Sequence, residues 1–237
     1  MHRGAYTVHT FYVEELMLSQ EDAKHASRVL RLKSGDEVCA VSGGERWNAR
    51  ILELSDKSGK VELLEKLPSN ESGLRITLYQ GLPKAEKLEF LAQKLTELGV
   101  ARLVPVRMER SVAKAEGDKR GDRLRKISRE AVKQCHRALP MDITSPMTWK
   151  EAMQDMEKRG LMIVPWENAE ATRMADLKAR FPDVTDIGIL IGPEGGISEN
   201  EIEACPAHPV TLGPRILRAE TAAVTSAALA MALWGDI

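Results

Sequence analysis

The apolar positions change rhythm once along the chain. Up to residue 67 they fall in short runs, Phe11-Tyr12-Val13, 37–41, 47–52 and 60–64, separated by the turn signals Gly35-Asp36, Gly43-Gly44 and Ser58-Gly59. Short runs with turns at hairpin intervals predict antiparallel strands closing into a small β-barrel. One helical stretch interrupts them at about residues 20–31, with Ser19 as its N-cap and Asp22 completing a box-like start. Residues 68–73, Pro-Ser-Asn-Glu-Ser-Gly, are polar and aperiodic, which makes them a linker.

Beyond the linker, apolar runs at 74–80, 101–106, 161–165, 187–191 and 209–212 alternate with helical patterns at 87–98, 122–137, 149–158, 199–205 and 219–234. That alternation predicts an α/β domain with a parallel sheet covered on both faces. Leu88, Leu91, Ala92, Leu95 and Leu98 share a face of the first helix, and Gly99 ends it. Leu124, Ile127, Ala131 and Cys135 face inward from the second. The last helix carries Ala222, Ala223, Ala227, Ala228, Ala230 and Ala232 and has little polar surface anywhere. Such a helix is buried on all sides, by a second subunit or by its own core; we expect a homodimer. The boundaries are then residues 1–70 and 74–237.

Composition narrows this little: 237 residues, 43% hydrophobic and 29% charged, describe an ordinary globular protein. There is neither a membrane-length apolar run nor a charged-then-apolar leader, so a cytoplasmic location is expected, with no membrane partner. Cys39, Cys135 and Cys205 are far apart and lack C-x-x-C spacing, which supports neither a disulfide framework nor a metal site. Charge adds more. Residues 102–137 hold twelve Lys or Arg against five Asp or Glu, net +7 in a chain of net −1. Such a block fits a polyanionic partner or a solvated helix face, and the same two readings hold for Lys24, Arg28 and Arg31, which share a helical face.

Candidate chemistry gathers in two loops that follow apolar runs. Ile191-Gly192-Pro193-Glu194-Gly195-Gly196 leads into Ser198-Glu199-Asn200-Glu201, a capping box. Its glycines permit positive φ and close approach of a ligand. It is neither G-x-G-x-x-G nor a P-loop, and Glu194 repels a pyrophosphate, which leaves a neutral or cationic nucleoside as ligand or a loop whose glycines only turn the chain. The second loop has Gly213-Pro214, then Arg215 and Arg218 flanking Ile216-Leu217. Both loops stand at carboxyl ends of strands, where open α/β sheets bind ligands.

Leu190 to Gly196, read with Leu212-Gly213-Pro214-Arg215-Ile216-Leu217-Arg218-Ala219-Glu220-Thr221-Ala222, resembles the two signature segments of a knotted SPOUT methyltransferase family. This is the 16S rRNA (uracil-1498-N3)-methyltransferase family, or ribosomal RNA small subunit methyltransferase E. Gln93-Lys94-Leu95-Thr96-Glu97-Leu98-Gly99-Val100, Glu130-Ala131-Val132-Lys133-Gln134-Cys135-His136-Arg137, and His25 with Val29-Leu30-Arg31 extend the likeness over essentially the whole chain. Two departures stand out: His9-Thr10 precede Phe11, with Arg3 further upstream, where relatives place an arginine, and Lys84-Ala85-Glu86-Lys87 stands for Lys-Gly-Asp-Arg.

The resemblance implies a PUA-like RNA-binding barrel, a SPOUT α/β domain with a deep trefoil knot, S-adenosyl-L-methionine in the knot loops, and a homodimer acting on 16S rRNA or the small ribosomal subunit. It implies cofactor contacts from Leu190, Ile191, Gly192, Gly196, Leu212, Ile216 and Leu217. RNA contacts are expected from His25, Arg28, Arg31, Lys84 and Arg137. Arg218 is the expected stabiliser of a uracil anion or seat for its phosphate, with Arg215 as helper and Glu220 as a base if a partner turns it to the pocket. Bracing ion pairs with Glu194 or Glu220 are the alternative for both arginines. A sister enzyme acting on transfer RNA or on a ribose hydroxyl, and a non-catalytic RNA-binding protein, are the rival readings.

Overall fold

The computed structural model of the chain describes residues 9–111, 118–169 and 172–237; Arg3 and residues 112–117 of the basic block lie outside them. The chain divides into two compact units. One contains the chain up to Glu71 together with Lys133–Leu139, and the other contains Ser72–Val132 and Pro140–Ile237.

In the first unit β1 (Thr10–Glu14), β2 (Met17–Leu18), β3 (Glu37–Ser42), β4 (Glu45–Leu54) and β5 (Gly59–Lys66) close in the order β1-β2-β5-β4-β3. Gly43 and Gly44 both have positive φ, 59° and 78°, which the two-residue turn between β3 and β4 requires. Phe11, Val13, Val38, Ala40, Ala49, Ile51 and Val61 alternate inward to form its core. The helix expected over 20–31 is shorter. α1 (Gln20–Lys24), capped by Ser19, passes into a π-helical turn at His25–Val29, and Arg31 follows with φ 55°. Arg28 and Arg31 therefore do not continue one α-helical face.

Residues 133–139 are held in this unit by named bonds. Lys133 pairs with Asp22 at 2.8 Å, Thr10 Oγ1 meets His136 Nδ1 at 2.6 Å, and Tyr12 donates to the Arg137 carbonyl at 2.7 Å. Glu71 accepts from the Arg137 guanidinium at 2.8 Å and from the N–H groups of Ala138 and Leu139.

The second unit is a wholly parallel sheet, ordered β12-β10-β11-β6-β7-β8, with β9 also on β7. Its strands are β6 (Arg75–Gly81), β7 (Arg102–Arg107), β8 (Asp142–Ile143), β9 (Met147–Thr148), β10 (Leu161–Pro165), β11 (Asp186–Ile191) and β12 (His208–Val210). Its helices are α2 (Ala85–Glu97), α3 (Asp118–Cys135, of which the last three residues belong to the first unit), α4 (Trp149–Met156), α5 (Met174–Arg180), α6 (Glu199–Ala204) and α7 (Ala219–Trp234). α3 ends where His136 takes a φ of 62°, so Arg137 lies beyond the helix expected to contain it. Gly99, at φ 82°, ends α2 as expected, with Val100 N–H on the Leu95 carbonyl and Gly99 N–H on that of Thr96.

Strand alternation sorts the sheet's side chains onto two faces. Ile76, Leu78, Ile187 and Ile189 meet α2, α5 and α7 through Leu88, Leu91, Leu177, Ala223 and Ala227. Tyr79, Val104, Val164 and Leu190 meet Ala152 and Met156 of α4 on the other face. There the Tyr79 hydroxyl donates to Asp155 at 2.6 Å, and Arg102 pairs with the same carboxylate at 2.8 Å. Burial alone would raise the Asp155 carboxyl, but the Tyr79 hydrogen bond and the charges of Arg102 and Arg159 outweigh it and hold it below the usual range.

α7 is less covered than its sequence suggests. Ala223, Ser226, Ala227, Ala230 and Met231 are buried, whereas Leu229 on the opposite side is 40% exposed. Among the described residues no helix is long and apolar enough to cross a membrane, and no group of three or more His, Cys, Asp or Glu is placed to hold a metal ion.

Candidate functional site

β11 delivers the first loop at the carboxyl edge of the sheet, and β6 holds it there. Gln80 is fully buried, and its Nε2 donates to the carbonyls of Gly81 at 3.0 Å and Gly192 at 3.2 Å. A Cβ at Gly81 would stand 2.5 Å from Pro193 Cδ, so that glycine lets the loop lie against the strand. Gly196 has a φ of 75°, but Gly192 and Gly195 do not need positive φ. They are glycine for space: a Cβ would meet Ile197 Cγ1 at 2.7 Å from Gly192, and Arg110 Cβ at 3.0 Å from Gly195. Ser198 then caps α6 in the expected box, and Glu201 also accepts the Glu109 N–H at 2.9 Å, tying the loop to the end of β7.

The second loop leaves β12, turns at Gly213 with φ 111°, and enters α7 at Arg218, whose extended backbone occupies the N-cap position. Between the loops lies a pocket of about 500 Å³, a volume usual for a small-molecule site. Residues 191–197 form one wall and 216–219 another; Ala222, Lys87 of α2, and Pro165, Trp166 and Glu167 after β10 complete it.

Ile191, Gly192, Gly196, Ile216, Leu217 and Arg218 are thus brought together as the sequence suggested. Leu190 is not among the lining groups. It is fully buried on the face bearing Tyr79 and Val104, since successive strand residues point opposite ways. Leu212 packs against the core instead of lining the pocket. Arg215 is exposed and outside the lining.

Glu220 is committed elsewhere: its carboxylate lies 3.0 Å from the Lys87 ammonium, which also lies 3.3 Å from Glu194. Burial pushes both carboxyls up, but it is outweighed by their own N–H groups and Lys87, with Arg218 adding at Glu220 and the Lys84 N–H at Glu194; both end below the ordinary value. A carboxylate held down in this way is a weak base at neutral pH, which argues against the base role expected of Glu220.

The expected RNA-facing residues separate into kinds. His25, Arg31 and Lys84 are exposed, and Arg28 is exposed but paired with Asp56. Arg137 is 6% exposed, with its guanidinium on Glu71; it is a brace within its unit and not a surface cation. Sequence reasoning passed over Lys87, Trp166 and Glu167 as pocket residues. The signal was available for Trp166, which directly follows a strand at the ligand-binding edge.

A family model described as "RNA methyltransferase domain" matches residues 70–231, and one described as "RNA methyltransferase PUA domain" matches residues 18–64. The chain is 32% identical to ribosomal RNA small subunit methyltransferase E of Bacillus subtilis, over 86% of this chain and 85% of that protein. It is 29% identical to the Aquifex aeolicus protein of the same name, over 94% and 99%. Among solved structures, ribosomal RNA small subunit methyltransferase E from Neisseria gonorrhoeae bound to S-adenosyl methionine superposes with a TM-score of 0.86 at 30% identity, covering 97% of this chain and 99% of that one.

Proposed function

We propose, from the premise that this chain belongs to the ribosomal RNA small subunit methyltransferase E family, that it methylates N3 of a uracil, U1498, in 16S rRNA with S-adenosylmethionine as donor. The observation that carries the reading is the pocket between the two loops: a nucleoside-sized cavity at the strand ends, where the bare backbone of Gly192, Gly195 and Gly196 and the apolar side chains of Ile191, Ile216 and Leu217 stand beside the charged Lys87, Glu167, Glu194 and Arg218. Its fit to this cofactor rests on Gly192 and Gly196, where the wall is bare backbone, and on Ile191, Ile216 and Leu217, which offer apolar surface to an adenine. When bound, the cofactor supplies an activated methyl group on a sulfonium.

The protein's own task is alignment, exclusion of water and stabilisation of charge. N3 is a weakly acidic imide that must lose its proton before or during attack. Arg218 stands in the pocket wall and is assigned to stabilise the resulting uracil anion, while Glu220 and Lys87 are committed to holding the second loop. We assign the N-terminal unit to RNA binding as a PUA-like barrel, and the loops to a deep trefoil knot. A homodimer is supported by the half-covered apolar helix α7 and by Ile216, which is 88% exposed at the pocket edge.

The test is direct. The protein is incubated with labelled S-adenosylmethionine and either free 16S rRNA or small subunits from a strain lacking this gene, and the products are analysed by nucleoside mass spectrometry. The expected product is 3-methyluridine at one position; its absence from both substrates overturns the proposal, and a ribose-methylated product supports the sister-enzyme reading.

A further inference from the structure

The ionised groups around the pocket are unequally screened by solvent. Lys87, Arg218, Glu167 and Glu194 line it, and Glu220 adds a third carboxylate through its contact with Lys87. Arg218, Glu167 and Arg110, whose guanidinium lies beside Gly195 and Gly196, are exposed, and solvent screens their charges. Lys87, Glu194 and Glu220 are not: their side chains are 23%, 28% and 19% exposed, and one ammonium serves two carboxylates. The cluster therefore carries one surplus negative charge where screening is weakest. A pocket of about 500 Å³ is about 10 Å across, so any atom of its ligand lies within roughly a Debye length, about 8 Å at physiological salt, of that charge.

We propose that the Lys87, Glu194 and Glu220 cluster makes the pocket read ligand charge, holding the sulfonium cofactor in preference to its neutral thioether product and so favouring product exit. The inference rests on the cofactor reading above. Methyl transfer breaks the S–CH3 bond and forms the N3–CH3 bond in place of N3–H; the electron pair of the broken bond stays on sulfur, and the N3 proton is lost to solvent. The positive charge that the cluster attracts is thereby removed from the ligand, while adenine, ribose and amino-acid groups stay the same. The same cluster also ties the first loop to the start of α7, so a mechanical role must be separated from a charge-reading one.

The two roles differ in sign. Glu194→Gln removes the surplus charge and Lys87→Gln doubles it, but each breaks the same tie between the loops. Affinities of the full-length protein for S-adenosylmethionine and S-adenosylhomocysteine are measured by isothermal titration calorimetry, and the ratio of the two is compared. One unit charge at this range in a partly solvated wall predicts a change of about fivefold in that ratio. Glu194→Gln lowers the preference for S-adenosylmethionine, and Lys87→Gln raises it. Affinities that fall in parallel for both ligands in both variants identify a mechanical clamp and overturn the inference, as does a shift in the same direction in both. Wild-type protein that binds neither ligand overturns the cofactor reading itself, and this inference with it.

Discussion

Gly192 is the position in the pocket wall least able to accept a side chain, because Ile197 and the Gly196 backbone already fill the space a Cβ would need. Gly192→Val is expected to leave both units folded, by circular dichroism, and to abolish saturable S-adenosylmethionine binding; a folded variant with normal affinity removes Gly192 from the assignment. Glu194 and Glu220 contribute to the expected pH response, as does Asp155. The two glutamate carboxyls lie below the ordinary 4.5 in the folded protein, so their stabilisation is complete above that value and is lost as the pH falls below it. Thermal stability followed from pH 7 down to pH 3 should therefore hold level through the neutral range and decline below pH 4.5, and the decline should be smaller in the Glu194→Gln variant. On the far face of the sheet, Tyr79→Phe removes the hydroxyl from Asp155 and is expected to cost about 1–2 kcal/mol in a denaturant titration. At this scale the main-chain pocket was legible, because glycine and proline mark irregular backbone wherever they occur. Lys87 was not, because its partners Glu194 and Glu220 are more than a hundred residues away and a lysine on a helix carries no sign of them.

The elements themselves follow from local signals where those are strong. Ser198 and Glu201 form the box that their spacing predicted, and Ser198→Ala is expected to destabilise the second unit by about 1 kcal/mol. Its effect should reach the pocket as well, seen as weaker S-adenosylmethionine binding, because Ser198 ends the first loop. Where signals are weak, the sequence was silent. β8 and β9 have two residues each, too few to show a period, and α5 exposes its helical pattern only through Met174 and Leu177. The π-helical turn at His25–Val29 shows a different limit: hydrophobic spacing there reads as an ordinary helix, and no residue type announces the wider turn. The early end of α3 has a simple cause, since a left-handed His136 stops it before the arginine expected within it.

At the scale of the whole molecule, α7 shows why a pattern apolar on every side does not specify what covers it. One side is buried in the monomer, and Leu229 remains open on the other. Leu229→Asp is expected to convert a wild-type dimer into a monomer in sedimentation velocity; a wild-type protein that sediments as a monomer at micromolar concentration removes the dimer from the proposal. The alternating second unit was legible as an α/β sheet from its rhythm alone. The allotment of residues 133–139 to the first unit was not, because periodicity describes neighbours in sequence and not which core they join. That allotment bears on how the gene can be cut. A fragment ending at the linker takes Glu71 and Tyr12 with it but leaves behind Arg137 and the amides that answer them. The N-terminal unit, expressed alone from such a cut, would have to fold around an unanswered carboxylate; supplying residues 133–139 as a separate peptide is the natural means of rescue.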